Sequence, residues 1–224
     1  MLSDAMEDYL KAIYVLQREG GAPVSTSAVA EYLDKTPPTV TSMMEKLADR
    51  GLIEREKYRG VELTDEGRTV ALEVIRHHRL LEAYLAEHLD FDWSEVHDEA
   101  DALEHHISEA LERRMAEALS DPTVDPHGDP IPTETLDPVE EDAGEQLSSF
   151  AVGDRVVVSR VHHQDQAELD YLAEAGLTPG TEIELVDVAP FGMVTVRLDD
   201  GSEQSLPERI ADAIRVESAM GEVA

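Results

Sequence analysis

The chain of 224 residues contains no cysteine, so it forms no disulfide and offers no thiolate to a metal ion. No apolar run approaches the roughly 18 residues that span a membrane, and Met1–Asp4 shows neither the basic nor the apolar region of a signal peptide. These absences predict a cytoplasmic protein without a membrane partner. The length suits two or three small domains.

Lysine is scarce as well: the chain has only Lys11, Lys35, Lys46 and Lys57, and its formal net charge is −32. Such acidity argues at first against a nucleic-acid partner. The acidic residues are spread over every segment, however, and do not form one tail. We therefore interpret them as halophilic adaptation to a salt-rich cytoplasm, in which charge repulsion is screened within about 3 Å at 1 M salt.

The first 63 residues follow the order of a winged helix-turn-helix. Apolar residues at three-to-four spacing predict a helix over 4–19, a short helix is predicted over 27–33, and a third begins at Thr36. Alternating segments at 52–55 and 61–63 predict a β-hairpin. Helix, helix, turn, helix and hairpin in about 60 residues is the winged helix-turn-helix layout.

The third helix and the hairpin turn carry the candidate DNA-binding residues. Short hydroxyls and cations suit phosphates and base edges in a major groove. The candidates are Thr36, Pro38, Thr39, Ser42, Lys46, Lys57 and Arg59. Residues 35–60 hold six Lys or Arg and four acids, a local positive excess that indicates DNA binding in so acidic a chain. The alternative is a winged helix that contacts another protein.

Six of the nine histidines lie between positions 77 and 106, among carboxylates at helical spacing. Long helices are predicted over 64–89 and 95–119, and residues three or four apart share a helix face. The residues on these faces are His78 and Glu82 on the first helix and His97, Asp101, Glu104 and His105 on the second. Their nitrogen and oxygen donors suit Mn²⁺, Fe²⁺, Co²⁺, Ni²⁺ or Zn²⁺ better than Cu⁺.

Chance is the competing explanation for these clusters, because 50 acidic residues place carboxylates near many histidines. A charge run is usually a solvated helix face. The excess of acid does not account for the clustering of the histidines, however. The apolar stripes of the two long helices, which have no large domain behind them, further predict a homodimer.

A linker and a β-rich domain complete the chain. Residues 121–149 hold nine acids, five prolines and no Lys or Arg, which predicts an extended linker with His127 as a loop residue. Strands are then predicted over 155–161, 182–188, 194–198 and 214–217, with one helix over 166–175. The expected fold is a small five-stranded SH3-like barrel.

Five segments carry a family resemblance that covers nearly the whole chain. They are Glu7–Leu10, Pro38–Val40, His78–Glu82, the long and specific Val96–His105, and His127–Pro132. On these motifs the chain resembles the metal-dependent repressors of the diphtheria toxin repressor type, which include iron- and manganese-dependent regulators. The C-terminal part is similar to the SH3-like module that these repressors share with small ferrous-transport accessory proteins.

The resemblance implies two sets of metal ligands. The primary, activating site would comprise Asp8, Asp101, Glu104 and His105. The ancillary site would comprise His78, Glu82 and His97, completed by Asp165 and Glu168 of the SH3-like module. The mechanism implied is that metal ties the DNA-reading unit to the dimer at a fixed angle, so that two recognition helices match two half-sites of a palindromic operator in double-stranded DNA.

Three positions depart from family patterns. Iron-sensing members have Met and Cys where this chain has Asp8 and Asp101, and hard oxygen ligands resemble the manganese-sensing branch. Lys11 stands where manganese sensors place a further carboxylate, which weakens the expectation of a paired-metal site. The resemblance implies Mn²⁺ or Fe²⁺ as the cofactor.

The resulting prediction is a mostly α-helical protein with a small β module, organised as a winged helix-turn-helix at 1–63, a helical dimerisation and metal-binding domain at 64–125, an acidic linker at 126–149 and an SH3-like domain at 150–218. It is predicted to be a metal-activated repressor of metal-uptake genes with no organic substrate. The rivals are a winged-helix regulator that ignores metal, an adaptor that uses the barrel, and a di-iron metalloenzyme. The enzyme is disfavoured because no histidine has a Glu three residues before it.

Overall fold

The computed structural model describes residues 2–56, 59–137, 144–162, 166–190 and 192–219. The chain divides into two compact units. The first comprises Met1–His78, Glu104–Ile107 and Pro132–Pro138, and the second comprises Arg79–Leu103, Ser108–Ile131 and Val139–Ala224. Among the described residues, none of the helices is both long enough and apolar enough to cross a membrane.

The first unit begins with the predicted winged helix-turn-helix. Its helices are α1 (Asp4–Gly20), α2 (Thr26–Tyr32) and α3 (Pro37–Asp49), and its hairpin pairs β1 (Ile53–Glu56) with β2 (Gly60–Leu63) in antiparallel register. The prolines at the start of α3 are tolerated because the first N–H groups of a helix have no intrahelical acceptor. Thr36 is the N-cap residue of α3, but its hydroxyl bonds to Thr39 at 2.9 Å and not to the backbone.

Gly60 allows the hairpin to pack closely against the segment before α2. Its φ is +139°, and a Cβ there would lie 2.0 Å from the carbonyl oxygen of Val24. Val24 bridges to Val61 and so extends the hairpin by one more contact. The apolar faces of α1, α3 and the hairpin then meet in one core, with Leu10 and Ile13 completely buried.

The helical region that follows differs from the prediction. Helix α4 (Asp65–Leu89) begins after Thr64, whose hydroxyl accepts from the Gly67 N–H at 3.1 Å. The single helix predicted over 95–119 is wrong: the structure has α5 (Val96–Leu103) and α6 (Glu109–Ala118). The second of these helices begins after Ser108, whose hydroxyl caps it and accepts from the Leu111 N–H.

The C-terminal domain is the predicted SH3-like fold, and its strands form one antiparallel sheet in the order β3-β8-β4-β5-β6-β7. The strands are β3 (Glu145–Gln146), β4 (Arg155–Val161), β5 (Glu182–Ala189), β6 (Met193–Leu198), β7 (Glu203–Pro207) and β8 (Ile214–Ser218). A 3-10 turn (Leu147–Ser149) follows β3, and two helices, α7 (Gln166–Glu174) and α8 (Glu208–Ala213), flank the sheet. The described part of this domain therefore contains six strands, and the expectation of five was wrong.

The sequence analysis missed both edge strands for a physical reason. β3 has two residues, both exposed, and β7 buries only Leu206. Neither segment carries the alternating β-branched residues that mark a half-buried strand. Both are held by ladder hydrogen bonds to a neighbour that is readily predicted, β8 for β3 and β6 for β7.

Candidate metal centres

The first centre lies within the first unit and joins α1 to the segment after α5. Asp8, Glu104 and His105 each offer one ligand atom, and the three atoms lie within 4.8 Å of one another. Nε2 of His105 is 2.8 Å from Oδ1 of Asp8 and 3.4 Å from Oε1 of Glu104. Metal–ligand bonds of about 2.1 Å give adjacent ligands about 3 Å apart, so this spacing fits a divalent cation.

Glu7 fixes the orientation of the His105 ring. Its Oε2 lies 2.8 Å from Nδ1 of His105, on the opposite side of the ring from Asp8. A carboxylate that accepts from one ring nitrogen directs the other nitrogen toward a metal ion and raises its basicity. Glu7 and Asp8 are adjacent in the chain, so the start of α1 contacts both nitrogens of one imidazole.

Glu104 is almost fully buried and is held by two hydrogen-bond partners, one of them the ammonium group of Lys11. Its Oε2 accepts from Nζ of Lys11 at 2.8 Å and from Nδ1 of His78 at 2.6 Å. Burial opposes ionisation, but the hydrogen bond from His78 and the charge of Lys11 outweigh it and lower the pKa of Glu104. The buried carboxylate is therefore ionised and available as a ligand.

The other two members of this centre have raised pKa values. Burial raises the pKa of Asp8, an effect that the neighbouring His105 only partly offsets. For His105, burial favours the neutral ring, yet the hydrogen bond that the ring donates to Glu7 and the charges of Glu104 and Asp8 together raise its pKa. A raised histidine pKa among three carboxylates marks a place where positive charge is favoured.

The break between α5 and α6 creates this geometry. Glu104 and His105 lie in the turn after α5, so they do not continue a helix face with His97 and Asp101 as the sequence spacing predicted. The backbone carbonyl of Glu104 lies 3.1 Å from Nδ1 of His77, a contact within the first unit. Glu104 and His105 remain candidate ligands, but the prediction that they share a helix face with His97 and Asp101 was wrong.

The remaining predicted ligands are divided between the units. His78 belongs to the first unit, beside Glu104. Glu82, His97 and Asp101 belong to the second, where Nδ1 of His97 is 3.0 Å from Oε1 of Glu82 and Nε2 is 3.9 Å from Oδ2 of Asp101. The pairing of Glu82 with His97 agrees with the ligand set that the resemblance implies.

A second candidate centre lies within the second unit. Glu82, Asp125 and His127 are all buried, at 2%, 5% and 4% exposure, and their ligand atoms lie within 4.8 Å of one another. Oε1 of Glu82 is 3.5 Å from Nδ1 of His127. Three buried groups of this kind, two of them carboxylates, need a compensating cation or a bound proton.

The backbone around His127 determines which nitrogen faces the centre. Its Nε2 lies 3.1 Å from the carbonyl oxygen of Trp93, which can only accept, so Nε2 carries a proton and Nδ1 is the nitrogen that faces Glu82. Metal-binding histidines commonly donate the N–H of their other ring nitrogen to a carbonyl oxygen in this way. Gly128 makes the turn possible, because a Cβ there would lie 2.1 Å from the carbonyl oxygen of Ser159 in β4.

Among the described acids, Asp125 has the pKa that departs most from its usual range. Its Oδ1 accepts from the backbone N–H groups of His127 and Asp129, at 2.8 and 2.9 Å. Burial and the charges of Glu82 and Asp129 nevertheless raise its pKa well above the usual range, although Arg79 acts in the opposite direction. Without a cation this carboxyl group retains its proton above the usual aspartate range.

Asp125 and His127 are the residues that sequence reasoning missed. They lie in the segment predicted to be an extended linker, where acid and proline content concealed them. The available signal was the turn sequence Asp125–Asp129, in which an acid and a histidine flank Pro126 and Gly128 is the next residue. Both side chains are buried, and that cannot be read from local composition.

Two predicted ligands from the SH3-like domain have different outcomes. Asp165 lies outside the described residues. Glu168 is at the start of α7, and its Oε1 contacts Nη2 of Arg209 in α8. Its role as a metal ligand remains a prediction.

The predicted DNA-binding residues occupy the solvent side of the recognition helix. Thr36, Pro38, Thr39, Ser42 and Lys46 are all exposed on α3 or at its start. Arg59 is exposed in the hairpin turn, and Lys57 lies outside the described residues. The opposite side of α3 is buried through Val40, Met44 and Leu47. This arrangement leaves one face of α3 available to a DNA groove.

Comparisons with known proteins agree with this architecture over most of the chain. Residues 1–61 match the model "Iron dependent repressor, N-terminal DNA binding domain", residues 64–133 match "Iron dependent repressor, metal binding and dimerisation domain", and residues 145–218 match "FeoA domain". The diphtheria toxin repressor of Corynebacterium glutamicum is 34% identical over 98% of this chain and 99% of its own. The iron-dependent repressor IdeR of Mycobacterium tuberculosis is 35% identical over 96% and 98%.

A solved structure gives the same result. A manganese-dependent transcriptional repressor in complex with manganese superposes with a TM-score of 0.85, at 37% identity, and covers 95% of this chain and 99% of that one.

The fold and its acid–histidine centres define a metal-dependent DNA-binding regulator. The chain belongs to the iron-dependent repressor family, whose members are transcriptional repressors with a metal-binding and dimerisation domain, and not enzymes. The family resemblance, the fold class and the prediction of a non-enzymatic regulator are therefore confirmed.

Proposed function

We propose that this protein represses metal-uptake genes when Mn²⁺ or Fe²⁺ binds Asp8, Glu104 and His105. The observation that carries the proposal is the 2.8 Å approach of His105 to Asp8, because it joins the first helix of the DNA-binding domain to the turn between α5 and α6. The resemblance also implies Asp101 as a ligand of this ion.

In this proposal metal binding acts through α1. A bound cation supplies the positive charge that holds two carboxylates and an imidazole together. Asp8 then keeps α1 against Glu104 and His105, and α1 packs in one core with α3, which carries the recognition face. The winged helix is thus held in one orientation, and only that orientation suits two half-sites at once.

We assign the second centre, Glu82 and His127 with Asp125, a supporting role. It occupies the same unit as the SH3-like domain, and the chain at His127 pairs with β4, because the Val161 N–H donates to the His127 carbonyl at 2.9 Å. A cation there would neutralise the buried carboxylates and stabilise this loop. His97 lies beside this centre, with its Nδ1 3.0 Å from Oε1 of Glu82.

The donor chemistry favours Mn²⁺ or Fe²⁺. Carboxylates and imidazole suit these ions, and the chain has no thiolate to select softer ones. The relatives named for iron and for manganese are consistent with either ion. The carboxylate of Asp8 is a hard ligand, which favours manganese in this chain.

The dimer determines the form of the operator. A twofold-symmetric dimer that presents two copies of α3 reads two inverted half-sites, so we expect a palindromic operator. Leu89, Leu103 and Leu111 lie in the second unit with 54%, 39% and 47% exposure, and they supply apolar surface for such a dimer.

A DNA-binding regulator works where the DNA is, so we place it in the cytoplasm.

The charge pattern and the domain boundaries complete the proposal. We attribute the net charge of −32 to a haloarchaeal-like, halophilic setting. The functional domains are 1–63 for DNA binding, 64–125 for metal binding and dimerisation, and 150–218 for the SH3-like module, with 126–149 as the connection.

Fluorescence anisotropy of the protein on DNA from its own promoter region, in molar KCl, tests the proposal. The titrations use Mn²⁺, anaerobic Fe²⁺ and a chelator. Binding that requires metal supports it, and the ion that is more effective at matched free concentration is the effector. Tight binding that ignores the chelator would establish the alternative, a winged-helix regulator that is independent of metal.

A further inference from the structure

Lys11 introduces a fixed positive charge into the first centre. It lies on α1, three residues after Asp8, and its side chain is 16% exposed. Its Nζ lies 2.8 Å from Oε2 of Glu104 and 3.2 Å from Nδ1 of His78. One helix therefore brings both a carboxylate and an ammonium group to this centre.

The two oxygens of Glu104 have different surroundings. Oε2 is engaged by Lys11 and His78, whereas Oε1 lies 3.4 Å from Nε2 of His105. Only Oε1 is directed at the space bounded by His105 and Asp8. The space on the other side of the carboxylate, between Glu104 and His78, is where the ammonium group sits.

We propose that Lys11 takes the place of a second cation, limits the first centre to one metal ion and sets its affinity. This inference rests on the proposed metal-binding role of Asp8, Glu104 and His105. Lys11 is a positioning residue: it holds Oε2 of Glu104 and leaves Oε1 to the incoming ion.

Charge repulsion determines how Lys11 affects affinity. An ammonium group a few ångströms from a divalent ion repels it, and the repulsion is strong because Glu104 is 2% exposed and solvent screens little there. Removing this charge while keeping a hydrogen-bond donor is expected to tighten binding of the ion about tenfold or more. Replacing it with a carboxylate removes the repulsion and adds a ligand, so a second ion is expected to bind.

Four variants of the full chain separate these effects. Lys11→Gln keeps a donor for Glu104 and removes the charge. Lys11→Arg keeps the charge and provides the rescue. Lys11→Glu reverses the charge. Lys35→Gln removes an exposed lysine from the turn before α3 as the matched control. All four are made in a Glu82→Gln, His127→Ala background, so that titrations report the first centre.

Calorimetric titration with Mn²⁺ gives affinity and stoichiometry, and the electron paramagnetic resonance spectrum shows whether two Mn²⁺ ions are spin-coupled. The expected results are one ion per chain for the background protein, Lys11→Arg and Lys35→Gln, about tenfold tighter binding of one ion for Lys11→Gln, and two coupled ions for Lys11→Glu. Circular dichroism confirms that each variant is folded. If Lys11→Gln does not fold, Lys11→Arg still tests the inference, because weaker Mn²⁺ binding or a changed stoichiometry in Lys11→Arg would overturn it.

Unchanged affinity in Lys11→Gln, or a single uncoupled ion in Lys11→Glu, would overturn the role of Lys11 while leaving the metal centre intact. Failure of the proposed function looks different. In that case the background protein itself binds no Mn²⁺ that His105→Ala abolishes, and the Lys11 variants have no site to modify.

Discussion

Nε2 of His105 lies 2.8 Å from Oδ1 of Asp8, although 97 positions separate the two residues in the chain. The contact connects the start of α1 with the turn that follows α5. Charge favours it even without metal, since the neighbouring carboxylates raise the pKa of His105 and so favour its protonated form. Asp8 and His105 would hold a divalent ion here, and its charge would take the place of the proton on the ring.

Loss of the His105 imidazole is expected to uncouple DNA binding from metal. In His105→Ala, Mn²⁺ affinity falls by about 100-fold or more, because the variant removes a ligand and not only a group that orients one. DNA binding no longer responds to Mn²⁺, and the far-ultraviolet circular dichroism is unchanged. Calorimetry and anisotropy measure the two effects.

His88→Ala is the matched control, because His88 is an exposed histidine near the end of α4 whose ring makes an edge-to-face contact with Tyr84, with centroids 4.9 Å apart. It should retain the metal response of the parent. A full metal response in His105→Ala would contradict the assignment of the first centre.

Glu7 is expected to tune this centre without binding the ion. In Glu7→Gln, the amide still contacts Nδ1 of His105 but no longer provides a charge that raises the basicity of the ring. Mn²⁺ affinity should fall about tenfold, the scale seen when the partner of a metal-bound histidine is changed. Calorimetry at one pH measures it, with Glu109→Gln, an exposed acid in the first turn of α6, as control. Equal affinities for Glu7→Gln and the control would show that Glu7 does not orient the ring.

Metal binding is expected to depend on pH through His105. A raised pKa means that the metal-free ring holds its proton to a higher pH than an ordinary histidine, and the ion must displace that proton. Apparent Mn²⁺ affinity therefore falls at least about tenfold between about pH 8 and about pH 6. The lowered pKa of Glu104 keeps that carboxylate ionised throughout this range.

Calorimetry in buffers of different ionisation enthalpy checks this by counting the protons released. A pH-independent affinity with no proton release would rule out His105 as a ligand.

The buried carboxyl group of Asp125 is expected to lower the stability of the metal-free protein and to contribute to metal binding at the second centre. Asp125 has a raised pKa, so the metal-free fold loses stability as pH rises from the ordinary aspartate range toward that raised value. Asp125→Asn removes the charge, and its side-chain oxygen can still accept from the backbone. At neutral pH the metal-free variant should be more stable by about 1 kcal/mol, with the difference shrinking as pH falls.

Thermal unfolding with chelator present measures this stability, and repeating it with Mn²⁺ should reverse the order of the two proteins. Asp212→Asn provides a control on an acid remote in sequence from the centre. A variant that is destabilised at every pH without metal would show that the Asp125 charge supports the fold.

Lys46 and Arg59 are expected to contact DNA phosphates. Replacing either with Gln should weaken binding to all sequences by a similar factor and reduce the salt dependence by roughly one phosphate charge. Anisotropy on the operator and on unrelated DNA across a KCl series measures this, with the exposed Arg113→Gln in α6 as control. Loss confined to the operator would make these residues base readers instead.

Local patterns were sufficient to predict the winged helix, α4 and the central strands. Their apolar periodicity is strong, and Thr64 caps α4 as expected. The break after α5 was not predictable from periodicity, because apolar residues continue at helical spacing through Leu111. What ends the helix is capping by Ser108 together with side-chain contacts of Glu104 and His105 to residues far away in sequence.

The candidate ligands were predictable in type but only partly in grouping. In the sequence Asp8 lies off the apolar stripe of its helix, as a surface acid does, and only the family resemblance placed it beside His105. Asp125 and His127 were missed because their burial depends on packing against Trp93 and β4, which local composition does not encode. Long-range contacts thus decide which of the many acids form a centre.

The most direct test of the central claim is a reciprocal measurement on the wild-type protein in molar KCl. The affinity for operator DNA is measured with and without Mn²⁺, and the affinity for Mn²⁺ is measured with and without operator. If metal at Asp8, Glu104 and His105 selects the DNA-binding form, the two ratios are equal and well above one, and both collapse to one in His105→Ala. Ratios of one in the wild-type protein would contradict the account.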